Sequence, residues 1–484
     1  MSNCRAYSEL DITLIAPPSS APAIQAVMNT NPHLTGLPLP KPDVLAPEGL
    51  DQNTGTAQIF RLPEVKAIVT GDFIVLPCDL VCELGGESLL ETWMIKEAGL
   101  GGAGGDDQLA GAKLAPGGGK RVQRGGLGVW YETKGEMIVR GEETDFIATS
   151  PINPGSVPSS STSLLPHLSK LVYSVPTDTL NDITEDKKSL PIRHSLIRAH
   201  SRIRMLSSHR DAHIYIFPAW VLEMISRNEQ LDSIGEDVIG WWAKAGWQDG
   251  LGDKLGLREV FANSDPAASD DNLLENGPAD DIDFTTLSST CTSNLQTPKA
   301  SDKLEIPPIL AYIHSSKPTP KNPNIPLIRR IDTAPLLLSI SLQLAKLESI
   351  ENLGRETPSP FAHQSKIAYP EGIASKTTVT RPDCLLAENV TVEEKCSIKE
   401  SVIGANCQIK SGAKLTRCVL MDGVIVGKGC KLTGCILGKR SVIGEDSVLV
   451  DCEVQENLMV EPKSKRPFIV WRKLAGRTLM LTTL

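Results

Sequence analysis

The stretch CLLAENVTVEEKCSIKE (residues 384–400), SVIGANCQIKSGAKLTR (401–417), CVLMDGVIVGKGCKLTG (418–434) and CILGKRSVIGEDSVLVD (435–451) repeats with a period of seventeen. One column, Cys384, Ser401, Cys418, Cys435 and Cys452, holds small, weakly polar residues. Three aliphatic columns run beside it: Leu386, Ile403, Leu420, Leu437, Val454; Val392, Ile409, Val426, Ile443; and Ile398, Leu415, Leu432, Leu449. Within a repeat these anchors stand six, five and six residues apart. Three apolar anchors per turn, joined by short strands, describe a triangular coil with one anchor on each side. That is the hexapeptide logic of a parallel β-helix, here about four and a half coils long. Gly412 with Gly429, and Gly427 with Gly444, are expected at sharp turns where glycine's backbone freedom is needed.

The cysteine column reads as thiols filling a narrow interior, because free cysteine is among the most buried residue types. Zinc is the sharper alternative, but its sites use cysteines two to four apart, and no histidine follows His363. The same lack of histidine weakens an acyltransferase reading, whose acceptor needs a general base. A structural or assembly role for the coil is expected, with no metal.

Upstream, Asp11–Ala16 reads as a buried strand stopped by Pro17-Pro18, and Ala21–Met28 as a helix with Pro22 in its first turn. Asp72–Pro77 is a second apolar strand, followed by a helix over Glu87–Ala98 with Leu89, Leu90, Trp93 and Met94 on one face. This alternation predicts an α/β domain with a parallel sheet, whose ligands sit at the carboxyl ends of the strands. Cys78-Asp79 occupies such an end, and Asn53–Ala57 is a small-residue loop leading into a helix. Gly55, Thr56 and Ala57 are thus candidates for a nucleotide pocket and Asp79 for a divalent ion. Turn and helix-cap roles explain Gly55 and Asp79 without a ligand, and on these residues alone that reading is preferred. No phosphate loop is present: Gly119-Lys120 is followed by Arg121.

Gly99–Gly128 reads as a flexible insertion. Beyond it, Val129–Glu132, Met137–Val139 and Ala212–Phe217 read as strands, and Pro218 starts a helix. Ser233–Glu236 matches a capping box opening a helix with Val238, Ile239, Trp241, Trp242 and Ala245 on one broad face. Arg193, Arg198, Arg202 and Arg204 alternate with apolar residues, as a solvated face does. Residues 263–297 carry seven acids and no lysine or arginine, which predicts a disordered acidic insertion, and Lys317–Pro326 is proline-rich. Ile340–Ile350 is expected to be helical.

The 484 residues carry a formal charge of −9, of which the 263–297 segment supplies −7. That balance argues against direct nucleic-acid binding. No run approaches the ~18 apolar residues of a membrane span, and MSNCRAYSEL is not a signal peptide. A soluble, cytosolic protein with reduced thiols is expected.

NTGTAQIFRLPEV, GDFIVLPCDLVCEL, AHIYIFPAWVLEMI and SIGEDVIGWW, in that order, together with the coil from NVTVEEKCSIKESVIGANCQIKSGAKL to LVDCEVQENLMVEP, resemble the gamma-subunit family of eukaryotic translation initiation factor 2B, of fungal type. The resemblance spans most of the chain outside the insertions. Each α/β motif alone is shared with sugar nucleotidyltransferases. It implies a nucleotidyltransferase-like (Rossmann-like) domain over 1–260 with the 99–128 insertion. An acidic and Pro-rich disordered insertion over 261–330 and a linker with a helix over 331–375 follow. A left-handed β-helix over 376–462 and a tail over 463–484 complete the chain. It implies a non-catalytic regulatory subunit, without cofactor, that supports GDP/GTP exchange on initiation factor 2. Its partners would be the epsilon subunit, which carries the exchange activity on an additional helical domain, and the other subunits of the complex. The end of this sequence soon after the coil favours gamma over epsilon. Family members begin with a buried strand, a glycine loop that embraces a triphosphate, and a Pro-Lys segment. This chain goes directly to what reads as the second strand. The resemblance therefore implies a lost first strand and loop, as in an incomplete or alternatively started gene product. It also implies absent catalysis, a vestigial pocket at Gly55, Thr56, Ala57 and Asp79, and exposed strand edges. The alternative is an active sugar-phosphate nucleotidyltransferase of the mannose-1-phosphate guanylyltransferase kind.

Overall fold

The computed structural model describes residues 11–31, 41–51, 53–97, 123–134, 139, 142–152, 163–190, 192–263, 304–315, 325–353, 359–467, 469–474 and 477–482. Most of the glycine tract, the acidic segment and most of the proline-rich segment lie outside them, as does most of the Met137–Val139 strand. The chain divides into two units, one of residues 1–76, 86–132 and 143–314, the other of 77–85, 133–142 and 315–484.

In the first unit, β1 (Thr13–Ile15) pairs in parallel with β2 (Asp43–Leu45), and the helix Ala21–Thr30 joins them with a proline in its first turn. A separate sheet contains β3 (Phe73–Val75), β5 (Gly126–Glu132), β6 (Asp145–Pro151), β7 (Leu168–Pro176), β8 (Arg204–Phe217) and β9 (Ile309–His314). Its order is β3-β8-β5-β9-β7-β6. The expected parallel sheet is corrected here to a mixed one. Among its described residues only β5 and β9 pair in parallel, since the 14-residue β8 runs antiparallel to β3, β5 and β6, and β7 to β6 and β9. Among the described residues β1 bonds only to β2, and β3 only to β8. Apolar side chains are correspondingly bare there: Ile12, Leu14, Ile74 and Leu76 are 54%, 38%, 40% and 63% exposed.

Two expected insertions contain sheet strands. Gly126 and Gly128 belong to β5, where a Cβ would stand 2.6 Å from the ring of Trp242 or of Trp130. They are glycine because indole rings lie against the backbone. Ile309–His314, inside the expected disordered interval 261–330, is instead a buried strand between β5 and β7. Its run ILAYIH is continuous, as a strand covered on both faces requires. The core gathers Trp130, Ile147, Phe217, Val221, Ile239 and Trp242. The Trp242 indole donates to the Pro307 carbonyl at 2.8 Å, satisfying the polar edge of a buried ring. Trp242 and Ala245 are buried as the pattern predicted, whereas Trp241 is 43% exposed. On the helix Gly86–Glu97, Leu89 and Trp93 are buried while Met94 is exposed.

In the second unit, β4 (Leu80–Cys82) pairs antiparallel with β10 (Ile328–Arg330), also within the 261–330 interval. The helix Ala334–Lys346 leads toward the coil. There the seventeen-residue period becomes three parallel ladders stacking about five coils. Leu386 registers with Ile403, Ile403 with Leu420, and Leu420 with Leu437. Each inward aliphatic is at most 4% exposed. Coil backbones satisfy one another: Val402 N–H donates to Cys418 O at 2.9 Å, and Val419 N–H to Cys435 O at 2.9 Å. Strand alternation sends Val402 and Val419 outward, and Val419 is nevertheless buried. The helix Ala334–Lys346 contacts these two strands, its own Leu336, Ile340 and Leu342 being buried.

Every coil turns through left-handed residues spaced by seventeen: Asn389, Asn406, Gly423, Arg440, Asn457; Lys395, Gly412, Gly429, Asp446, Lys463; and Glu400, Arg417, Gly434, Asp451. Gly412 and Gly429 are therefore turn glycines as expected. Gly427 and Gly444 are not. Their φ is ordinary, but a Cβ would meet the next coil's backbone at 2.7 Å (Ile443 O) and 2.4 Å (Pro462 N). The coil begins before residue 376, since Ile367 and Ile373 already bridge Leu386 and Val392. It runs on into the expected tail, where Ile469–Leu474 joins a ladder and pairs with Arg477–Thr482 as a hairpin.

Candidate functional site

Gly55, Thr56 and Ala57 open the short helix Thr56–Ile59. A Cβ on Gly55 would lie 2.2 Å from the Asp232 carbonyl oxygen, so only glycine fits. Two of the N–H groups that a phosphate would seek already have acceptors: Gly55 N–H donates to Gln58 Oε1 at 3.2 Å and Ala57 N–H to Asp232 O at 2.9 Å. Thr56 Oγ1 accepts the Ile234 N–H at 2.9 Å, and Gln58 Nε2 donates to Asp232 Oδ1 at 2.7 Å. The loop is thereby bound to the turn 232–237. Ser233 Oγ caps that turn by accepting the Glu236 N–H, as the capping box predicted. Asp237 Oδ2 accepts the Asp232 and Ser233 N–H groups at 3.0 and 2.9 Å.

Against this turn stands a polar cluster that the sequence did not announce. Between Gly128↔Tyr215 and Trp130↔Asp211, β8 carries two more residues than β5, and the excess is taken up as a bulge. His213 sits in it with φ 53°, a left-handed conformation uncommon for a non-glycine residue. The bulge turns Asp211, His213 and Tyr215 to one place. Asp211 Oδ1 accepts the His213 N–H at 2.8 Å, Tyr215 OH donates to Asp211 Oδ2, and Asp145 Oδ2 accepts the Asp211 N–H at 2.6 Å. A Cβ on Gly235 would stand 3.2 Å from Tyr215 Oη and 3.4 Å from His213 Nε2, so the turn that holds Gly55–Ala57 also closes on this cluster. Burial, then the neighbouring Asp211 carboxylate, push the Asp145 carboxyl up to about 6. Two carboxylates sharing a largely buried site resist ionising together.

Asp79 belongs to the other unit. Its Oδ2 is held by Arg330 at 3.0 and 3.1 Å, and its backbone carbonyl accepts the Ile331 N–H at 2.7 Å. A guanidinium thus partners this carboxylate. No group of three or more histidine, cysteine, aspartate or glutamate side chains suited to a metal occurs among the described residues.

The coil's thiols are the remaining candidates. Cys384, Cys418, Cys435 and Cys452 are buried on the expected column. Cys396 and Cys430 form a second column, with Ala413 between them, and Cys407 stands in a third. Their hydrogens go to backbone carbonyls, as from Cys407 Sγ to Met421 O and Cys430 Sγ to Gly444 O, each at 3.1 Å. Burial pushes Cys407 up to about 11. The hydrogen bond shared with Cys418, together with burial, pushes Cys435 up to about 12. The same hydrogen bond lowers Cys418, but that side chain is fully buried, and all seven are packing thiols rather than nucleophiles. The four arginines Arg193, Arg198, Arg202 and Arg204 are exposed, as a solvated face requires.

Residues 369–465 match the family model described as the LbH domain of the epsilon subunit of EIF2B. A segment of 56 residues is 36% identical to translation initiation factor eIF2B subunit gamma of Schizosaccharomyces pombe, covering 12% of each chain. The solved structure of a perosamine N-acetyltransferase from Caulobacter crescentus, with CoA and GDP-perosamine, matches 24% of this chain and 54% of its own. That likeness has 16% identity and a TM-score of 0.17. The chain spans about an eighth of the length of the curated relative it matches. Its β-helix is similar to that of the initiation factor 2B family.

Proposed function

We propose that this protein is a non-catalytic regulatory and assembly subunit of the initiation factor 2B complex, of the gamma type, acting in the cytosol. The match of residues 369–465 to an initiation factor 2B β-helix carries this reading, and the 36% identical segment of a gamma subunit supports its subunit type. The chain would bind the epsilon subunit, dock initiation factor 2 and position the epsilon exchange domain against bound GDP. A non-catalytic role agrees with Gly55 and Ala57 N–H groups spent on Gln58 and Asp232, and with Asp79 paired to Arg330. Affinity purification of the tagged full chain from its own cells tests it: the epsilon subunit should be recovered in equal amount. A protein isolated alone, at native expression and low salt, would refute it.

The Asp145–Asp211–His213–Tyr215 cluster beside the Gly55–Ala57 turn favours a second reading, a sugar-phosphate nucleotidyltransferase related to those that make GDP-mannose. That reading requires magnesium-dependent pyrophosphate release from GTP and mannose-1-phosphate, lost in Asp211→Asn. No release across a panel of sugar phosphates removes it.

A further inference from the structure

The first unit contains a cleft of about 690 Å³ that neither reading uses. Its walls are aromatic: Phe146 on β6, Tyr173 on β7, and Trp241 and Trp247. Phe146 and Tyr173 meet edge to face with centroids 6.2 Å apart. Three cations line it as well, the exposed Arg193 and Lys254 and the half-buried Lys244. The Lys244 ammonium lies 5.1 Å from the Tyr173 ring centroid and 5.6 Å from that of Trp241. Burial, then the charge of Arg193, lower its pKa, with Asp237 opposing. None of the three has an ion-pair partner among the described residues. Asp237, the acid of this cleft, already accepts two backbone N–H groups. A half-buried ammonium beside a guanidinium, with one carboxylate committed to a turn, leaves net positive charge between aromatic faces. For the half-buried Lys244 such charge is costly unless an anion answers it. The volume lies in the range of small-ligand sites, which pair apolar walls with a few convergent polar groups.

We propose that this cleft binds a small phosphate monoester carried on a planar ring, the dianion against Arg193 and Lys244 and the ring against Trp241 and Trp247. Titration of the full chain with phenyl phosphate, followed by tryptophan fluorescence and calorimetry, tests this directly. Saturable one-to-one binding is expected, with affinity at least tenfold above that for inorganic phosphate or phenol. Lys244→Gln and Arg193→Gln should each weaken it about tenfold, at unchanged far-ultraviolet circular dichroism. Arg193 is exposed, so that variant reads the charge even if Lys244→Gln folds poorly. No saturable binding, equal affinity for phosphate alone or phenol alone, or unchanged binding in Arg193→Gln would overturn the proposal.

Discussion

Replacing Asp145 by asparagine should stabilise the first unit at neutral pH and leave it nearly unchanged in acid. Asp145 moves from an ordinary 3.8 to about 6 in the folded protein, and at 1.36 kcal/mol per unit this is about 3 kcal/mol. The sign follows from proton binding. Below 3.8 both folded and unfolded chains hold the proton and the group has no effect. Between 3.8 and about 6 the folded chain keeps a proton that the unfolded chain has released, so stability falls as pH rises. Above 6 the full cost is present. Asparagine mimics the protonated acid, and its Oδ1 can still accept the Asp211 N–H that Asp145 Oδ2 accepts. Urea unfolding followed by tryptophan fluorescence is the assay, because Trp93, Trp130, Trp220, Trp241, Trp242 and Trp247 all lie in this unit. At pH 7.5 the variant should gain about 2–3 kcal/mol, and at pH 4 only about 0.5 kcal/mol. A variant no more stable than the parent at pH 7.5, with the same slope between pH 4 and 6, would refute the electrostatic account of this cluster.

Gly55→Ala forces a Cβ to within 2.2 Å of the Asp232 carbonyl oxygen and should cost about 1–3 kcal/mol in the same urea assay. Leu432→Ala empties a side chain only 1% exposed in the coil interior and should cost about 2–5 kcal/mol, read as a lower thermal midpoint of the coil. All seven coil cysteines are buried, and with Cys407 at about 11 roughly one of its thiols in a thousand is ionised at pH 8, so a disulfide reagent should leave them unlabelled until denaturation while exposed Cys78 reacts.

The coil was legible because its physics is periodic. A seventeen-residue turn puts Leu386, Ile403 and Leu420 in register, and that repetition survives in the sequence as a column. Its turns were less readable. Glu400, Arg417 and Arg440 take left-handed angles because stacked strands on either side dictate the bend, overriding local preference. The second cysteine column was hidden by Ala413 and Ser447 standing in it. Ile309–His314 was obscured for another reason: a six-residue strand beside Pro307-Pro308, between acidic and proline-rich segments, offers too short a pattern to stand out. Gly55–Ala57 reads as a turn into a helix, but its partner Asp232 lies far along the chain and leaves no local mark. The Asp145–Asp211 pair, 66 residues apart in sequence, is created by a bulge in β8, and alternation patterns carry no sign of extra residues. The charge balance was likewise local, since −7 of the −9 belongs to the 263–297 segment.

Release of labelled GDP from initiation factor 2, catalysed by purified epsilon subunit with and without the full chain, tests the proposed role most directly. The account predicts no acceleration by this chain alone and faster release when it is bound to epsilon. Release unchanged from that of epsilon alone, with the two chains failing to co-elute, would contradict it.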